Sequence, residues 1–256
     1  MTRTADTGGL PAGADIVAFH QACLALPHWP RDQPQEQSQK QPRNHPADQQ
    51  RVDAQKQPAG SAPPSGPGEA KRPQAGLWQW AEVNHRYNSL LWAEEDLARR
   101  TKVSDAEIAA NKRNIDRYNQ ARNDATERVD ELLLVALGLV DEGSAAGDAP
   151  VSTPAPAARL NSETAGSMID RLSIMSLKVH AMRLQTLRKD ADEAHRQASQ
   201  VKLERLQVQR DDLAACLDEL LAASREGRAY FKVYRQFKMY NDARFNPVLI
   251  AEAGKG

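Results

Sequence analysis

The chain has 256 residues, with 34 Lys and Arg residues against 34 Asp and Glu residues, so no net charge draws it toward nucleic acid or an anionic membrane. Its two cysteines lie far apart, without the spacing of a disulfide framework or a zinc knuckle, which favours a reducing, cytoplasmic location. No stretch approaches the roughly 20 apolar residues of a membrane span, and the N-terminal apolar clusters are too short for a secretory signal.

Helical periodicity dominates the sequence and predicts an all-α bundle of about five long helices. Residues 1–26 hold the first helix, from Ala14 to Leu26. Residues 27–76 contain ten of the fifteen prolines and ten glutamines. This composition cannot bury enough apolar surface to offset the entropy of ordering, so a disordered insert is predicted; a proline-rich ligand for a partner domain is the alternative.

A helical hairpin is predicted over residues 77–140. Its first helix runs from Leu77 to Arg100. Its second begins after Ser104 and runs to about Leu139. Ser104 and Glu107 have the spacing of a capping box, in which each side chain accepts from a free backbone amide of the first turn.

The remainder of the domain follows a short linker over residues 141–161. A fourth helix, capped by Asn161 or Ser162, runs to about Leu187 and is apolar nearly all round, which predicts a central position in the bundle. A fifth helix, about Ala191 to Ser224, has an apolar seam and ends near Gly227. Residues 162–249 thus form the C-terminal half of the same domain, and residues 250–256 form a tail.

Five polar residues lie in one narrow stripe along the third helix, because their spacing follows the helical repeat. They are Asp116, Asn119, Asn123, Glu127 and Asp130. A solvated face is the simpler interpretation. Such a face is usually built of Glu, Lys and Arg, whereas each Asn costs several tenths of a kcal/mol of helix propensity. The stripe therefore also suggests a surface that binds a ligand or a metal ion.

Two acidic pairs on neighbouring helices form the metal hypothesis. Glu94 and Glu95 on the second helix, with Glu127 and Asp130 on the third, resemble the carboxylate cage of MazG-like all-α nucleotide pyrophosphohydrolases. That resemblance implies Mg²⁺ held by carboxylate oxygens and clamping a diphosphate. In those enzymes a third acidic residue usually accompanies the first pair, and here Ala98 stands at its position. Both the metal site and the enzymatic activity therefore remain open.

The fourth helix carries Asp170, Arg171 and Lys178 within its apolar stretch. A buried charge must be paired, so Asp170 and Arg171 are expected to meet partners on neighbouring helices in a structural ion-pair network. Glu163 stands at the start of the same helix, where free amides and the helix dipole could instead receive an anion.

Aromatic and basic residues alternate in the last segment, residues 228–246, which includes Lys238 and six of the thirteen aromatic residues. We expect a C-terminal helix that docks through its aromatic face and points its cations outward. The alternative is an RNA-binding module that stacks bases on the rings, although the neutral overall charge makes nucleic acid the weaker hypothesis.

Four motifs resemble the bacterial domain of unknown function 4254 family. They occupy residues 92–99 (WAEEDLAR), 115–124 (IDRYNQARND), 161–173 (NSETAGSMIDRLS) and 234–241 (YRQFKMYN). The chain departs from the family at Ala165, where Pro is usual. The resemblance implies a helical, cytoplasmic protein that is often encoded beside glycosyltransferases of cell-surface polysaccharide assembly.

The resemblance makes a phosphorylated sugar or nucleotide-sugar the implied ligand and a glycosyltransferase the implied partner. An accessory, ligand-binding factor is the first hypothesis, with a Mg²⁺-dependent pyrophosphohydrolase second and an RNA-binding module third. We expect the ligand in a polar cleft between the second, third and fourth helices. The candidate ligand-binding residues are Asp116, Asn119, Asn123, Glu163, Asp170, Arg171, Lys178 and Lys238, and Asp116, Asn123 and Arg171 are expected to converge there.

Overall fold

The computed structural model describes residues 9–30, 74–236 and 244–253, which form an all-α architecture. All of these described residues belong to one compact unit. The helices and strands, in chain order, are α1 Gly13–Leu24, α2 Gln74–Leu97, α3 Asp105–Ala136, α4 Glu142–Ala145, β1 Arg159–Leu160, α5 Ala165–Thr186, α6 Glu193–Arg225, β2 Ala229–Tyr230 and α7 Pro247–Ala253.

The α2–α3 hairpin is antiparallel. Asn84 donates to Thr126 over 3.0 Å near one end, and Asn111 donates to Glu94 over 2.7 Å near the other. The predicted capping box is confirmed, because the Ser104 side chain accepts from the Glu107 amide and Glu107 accepts from the Ser104 amide.

Helix α5 lies at the centre of the bundle, as its apolar composition predicts. It packs against α1, α2, α3 and α6. Ile169 and Leu172 are wholly buried and share a core with Leu133 and Leu217. The predicted start of this helix is wrong by a few residues: Thr164 is the N-cap, and its side chain accepts from the Ser167 amide.

Two helix ends depend on left-handed glycines. Gly138 follows α3 with φ +67°, and Gly227 follows α6 with φ +71°. Because glycine has no Cβ, it adopts this conformation without strain, and the backbone can turn away from the last helical residue. The prediction that the fifth long helix ends near Gly227 is confirmed, whereas α3 stops three residues before the expected Leu139.

The C-terminal segment differs from the prediction. Residues 229–230 form β2, which pairs in parallel with β1 of the expected linker, and residues 231–236 continue without helix. A docked helix beginning at Arg228 is therefore wrong for the described part. Phe231 enters the main core with no exposed surface, so the segment is held by packing in an extended conformation.

The described residues reach into the predicted insert, residues 27–76, at both of its edges. Residues 74–76 already belong to α2, and the turn at residues 27–30 brings Trp29 onto the bundle through a 2.9 Å hydrogen bond to Ser89. Residues 31–73, which carry most of the insert, lie outside the described residues. In the part of the chain that the structure describes, no helix combines the length and apolarity that crossing a bilayer requires.

Candidate functional site

A pocket of about 310 Å³ opens between α2, α3 and α5. Each helix contributes residues three or four apart, which is the spacing that puts side chains on one helical face. The lining residues are Asn88, Leu91, Trp92, Glu95, Asp96 and Arg99 from α2 and its C-terminal end, Asn119 and Arg122 from α3, and Ile174 and Leu177 from α5.

The lining of the pocket is partly exposed and partly buried. Trp92 is 36% exposed, and the side chains of Glu95 and Arg99 are 49% and 69% exposed. Asn88, Leu91 and Leu177 are buried. The lining thus combines apolar surface with a few polar groups, which is the usual composition of a small-molecule site.

Arg122 contributes a guanidinium to the lining of this pocket. Its side chain is 25% exposed. It donates to Asn123 over 2.9 Å, and its Nε lies 3.9 Å from Asp170 Oδ1, which makes an ion pair without a hydrogen bond. Among the described residues this buried Nε has no hydrogen-bond partner.

Asp170 organises the polar layer behind the pocket. Its Oδ1 accepts from Asn84 and from Asn88, each over 2.8 Å. Asn88 Nδ2 also lies 3.0 Å from Ser173 Oγ. The expectation that Asp170 pairs with neighbouring helices is confirmed, and its partners are two amides of α2 with Arg122 of α3 nearby. This network fixes the Asn88 amide in the lining of the pocket.

A buried histidine pair lies deeper along the same network. His85 Nδ1 is 2.7 Å from Ser173 Oγ, its ring stacks on Trp29 at 5.3 Å, and its centroid is 4.4 Å from that of His20. Because Ser173 Oγ also accepts from Asn88, it links His85 to the network around Asp170.

Burial keeps both imidazoles neutral. It lowers the pKa of His85 to about 4. Burial also lowers the pKa of His20 well below its ordinary value, and neighbouring His85 adds to the effect. Both ring nitrogens of His20 lack a hydrogen-bond partner among the described residues. At neutral pH both histidine rings are thus uncharged parts of the protein interior.

A separate ion-pair cluster holds the segment that follows β2. The side chain of Arg235 is 7% exposed and donates to Glu127 over 3.0 Å and to Glu131 over 2.5 Å. It also donates to the Gly147 carbonyl over 2.7 Å. Although burial opposes it, the two carboxylates raise the pKa of Arg235 above its ordinary value. Glu127 is therefore a structural anchor for the C-terminal segment.

Asp130 caps the N-terminus of α5 from the neighbouring helix. Its Oδ1 accepts from the Gly166 amide over 2.6 Å. A carboxyl group of the same protein thus lies at the helix start where the sequence suggested that an anion could bind. Burial raises the pKa of Asp130 to about 7, against the effect of hydrogen bonds from Thr164 and Gly166.

The structure does not bring the predicted ligand-binding residues together. Asn119 lines the pocket and Asp170 lies behind it. Asp116 is exposed and pairs with Lys112 on its own helix over 2.6 Å. Asn123 is half-buried and donates to Gln236 over 2.8 Å. The polar stripe of α3 consequently has different environments along the helix: Asp116 faces solvent, Asn119 lines the pocket, and Asp130 contacts the start of α5.

The predicted residues of α5 and the C-terminal segment lie elsewhere. Arg171 is 57% exposed and pairs with Glu163, so the expectations that it is buried and that it converges with Asp116 and Asn123 are wrong. The reason is that α5 leaves one stripe in solvent near its start. Lys178 is exposed and does not line the pocket. Lys238 lies outside the described residues.

The four predicted metal ligands are likewise separated. Glu94 accepts from Asn111 over 2.7 Å and from Asn114 over 3.1 Å. Both asparagines precede Glu127 on α3 by 13 or more residues. At 1.5 Å per residue this places Glu127 roughly 20 Å farther along the helix. Glu95 pairs with Arg99, and Asp130 caps α5. Within the described ranges no three His, Cys, Asp or Glu side chains are arranged to hold a metal ion.

Sequence reasoning missed the residues that build the pocket and its support. Asn84 and Asn88 are four apart on α2, and the helix-propensity argument that singled out the asparagines of α3 applies equally to them. Trp92 and Arg122 fall inside the motifs that carry the family resemblance. An arginine or tryptophan on a helix is common in solvated positions, so no local signal separates these two from others.

Comparison with known proteins identifies one family to which the chain is similar. The family model for a protein of unknown function (DUF4254) matches residues 78–233, which is more than half of the chain. The chain therefore belongs to this family. No curated protein and no solved structure matches it. The matched range includes every residue that lines the pocket.

Proposed function

We propose that this member of the DUF4254 family is an accessory protein that binds a phosphorylated sugar or a nucleotide-sugar in the pocket between α2, α3 and α5. The observation that carries the proposal is the combination of Trp92, Asn88, Asn119 and Arg122 around one pocket. From the resemblance we further propose that this ligand belongs to bacterial cell-surface polysaccharide assembly, with a glycosyltransferase as the partner.

Each lining residue suits one part of such a ligand. The indole of Trp92 offers a flat apolar surface on which a sugar ring or a base can stack. The amides of Asn88 and Asn119 can donate to and accept from hydroxyls. The Arg122 guanidinium suits a phosphate, which it can contact through two parallel hydrogen bonds. The buried network behind Asn88 holds the site rigid, so little ordering energy is lost on binding.

A thermal-shift screen tests this proposal. The full chain is heated with sugar phosphates and nucleotide-sugars, each with and without Mg²⁺. A ligand at a hundred times its Kd stabilises the folded state by about 2.7 kcal/mol, which raises the unfolding midpoint measurably. If no ligand of either class raises the midpoint, the proposed function is refuted.

Two asparagines of α3 provide a matched pair for locating the site. Asn119 lines the pocket, and Asn114 lies more than one turn before it, outside the pocket. Asn119→Ala should weaken binding of the best ligand several-fold, because a hydroxyl partner is lost, and Asn114→Ala should leave it unchanged. Equal weakening by both variants would place the site elsewhere on α3.

A further inference from the structure

The charge balance of the pocket between α2, α3 and α5 points to a narrower class of ligand. We infer that the pocket selects a sugar carrying a protonated amino group, with the ammonium between the Trp92 ring and the Asp96 carboxylate. This inference rests on the proposed function and concerns which sugars of the proposed class the site takes.

The first argument is that both arginines of the lining already have acidic partners. Arg122 forms an ion pair with Asp170 over 3.9 Å and donates to Asn123 over 2.9 Å. Arg99 forms an ion pair with Glu95 over 3.2 Å. Each guanidinium of the pocket is therefore balanced by a carboxylate of the same protein.

The second argument is that one carboxylate of the lining has no such partner. Asp96 lines the pocket, and no Lys, Arg or His of the described residues forms an ion pair with it. The arginines that follow it in the chain bind elsewhere, Arg99 to Glu95 and Arg100 to the Leu97 carbonyl over 2.9 Å. The negative charge of Asp96 is thus the one that the ion pairs of the lining leave unbalanced, and a cationic group on the ligand would balance it.

The third argument is the position of Trp92 beside this carboxylate. Trp92 lies four residues before Asp96 on α2, and both residues line the pocket. Side chains four apart are neighbours on one helical face, about 5–6 Å apart at Cβ. Trp92 is 36% exposed, so part of its surface is open to a ligand. An ammonium group between the two residues can contact the indole face and the carboxylate together, whereas a neutral hydroxyl gains no cation–π attraction.

The end of α2 adds to the negative potential at this place. The helix ends at Leu97, one residue after Asp96, and its last turn has no basic residue. The C-terminal end of a helix has a partial negative charge of roughly half an elementary charge, which favours cations. A metal ion would need further ligands, and within the described ranges no three His, Cys, Asp or Glu side chains are arranged to hold one. An ammonium needs only acceptors, so it is the cation that fits this lining.

The rest of the lining suits a sugar ring that carries this group. The amides of Asn88 and Asn119 can exchange hydrogen bonds with ring hydroxyls, and Ile174 and Leu177 add apolar surface. These contacts are open to many sugars. The contact with Asp96 and Trp92 is therefore the one that distinguishes an amino sugar from its neutral counterparts.

Isothermal titration calorimetry of the full chain can measure this selectivity. The probes are the 1-phosphates and the UDP derivatives of three matched sugars, glucosamine, N-acetylglucosamine and glucose. Acetylation removes the positive charge and keeps the nitrogen, and glucose has a hydroxyl in its place. The glucosamine compound should bind on the order of fivefold tighter than both counterparts in at least one of the two series. This preference should shrink at high salt, because Asp96 is exposed.

Substitution of the aspartate provides the second measurement. Asp96→Asn keeps the shape of the side chain and removes its charge, so it should abolish most of the preference for glucosamine and leave the affinity for the glucose compound nearly unchanged. Asp212→Asn is the control, since it makes the same change of charge at an exposed position of α6 outside the pocket. The control should keep the full preference.

The outcomes distinguish this inference from the proposed function. If none of the six probes binds, the proposed function fails and the amino-sugar assignment fails with it. If sugar phosphates or UDP-sugars bind but glucosamine has no advantage in either series, the proposed function stands and the amino-sugar assignment is overturned. An equal preference in Asp96→Asn and Asp212→Asn would also overturn it, because Asp96 would then not contact the amino group.

Discussion

Replacing Asp130 with Asn tests the electrostatics of the contact between α3 and α5. Burial raises the pKa of Asp130 from 3.8 to about 7. Between these two values the folded state holds a proton that the unfolded chain has released. The free energy of unfolding must therefore fall as pH rises through this window, and the cost of the buried charge persists above pH 7.

The size of the effect follows from the shift. The pKa of Asp130 rises by about three units, and at 1.36 kcal/mol per unit the free energy of unfolding can fall by at most roughly 4 kcal/mol. About two of the three units lie between pH 5 and pH 7. The introduced carboxamide cannot titrate, yet its Oδ1 can still accept from the Gly166 amide. Asp130→Asn should therefore gain up to roughly 2.5 kcal/mol relative to the original protein between pH 5 and pH 8.

Urea unfolding followed by far-ultraviolet circular dichroism provides the measurement, repeated from pH 5 to pH 8. Any fixed cost of burying the Asn amide cancels in the difference between pH values. Asp116→Asn is the control, because Asp116 is exposed on the same helix and pairs only with Lys112 there. If the stability difference between Asp130→Asn and the original protein does not change with pH, the reasoning is refuted.

Three further predictions concern the interior. Burial lowers the pKa of His85 to about 4, so the free energy of unfolding falls as pH drops from 6.5 toward 4, because the unfolded chain takes up the proton first. His85→Asn should make this fall shallower in the same urea series, and an unchanged dependence of stability on pH would contradict the prediction. A Cβ at Gly166 would lie 2.6 Å from the Thr126 carbonyl oxygen, so Gly166→Ala should lower the unfolding free energy by roughly 2 kcal/mol, whereas an unchanged thermal midpoint would show that α5 can move away. Arg235→Ala removes the cation that pairs with buried Glu127 and one of the two that pair with Glu131, and should cost roughly 3 kcal/mol; exposed Arg228→Ala is the control, and equal effects would argue against a buried anchor.

Local sequence signals predicted most of the helical architecture. The apolar periodicity of α2, α3, α5 and α6 located all four long helices, because burying one face of a helix requires apolar residues at that spacing. Ser104 with Glu107 located the start of α3, since a capping box acts within one helical turn. Composition alone put α5 at the centre of the bundle.

The sequence pattern of the C-terminal segment predicted a helix, but the described residues 229–236 are extended. Its alternating rings and cations are compatible with a helix, but Phe231 is buried in the core and the Arg235 side chain, 7% exposed, lies between two glutamates. Extended backbone lets β2 pair with β1, a contact between residues about 70 positions apart. Such distant pairing leaves no local signal in a single sequence.

The candidate site shows the same division between local and distant information. The sequence by itself determined that α3 carries an unusual polar stripe and that Asp170 of α5 needs partners, because both follow from the cost of placing such residues in a helix or an apolar stretch. Only the tertiary structure decided how each was used. The antiparallel pairing of α2 with α3 put Asn88 and Trp92 opposite Arg122, and the approach of α5 at Gly166 took Asp130 as its cap. Those contacts depend on the heights at which the helices cross, which the repeat of a single helix does not contain.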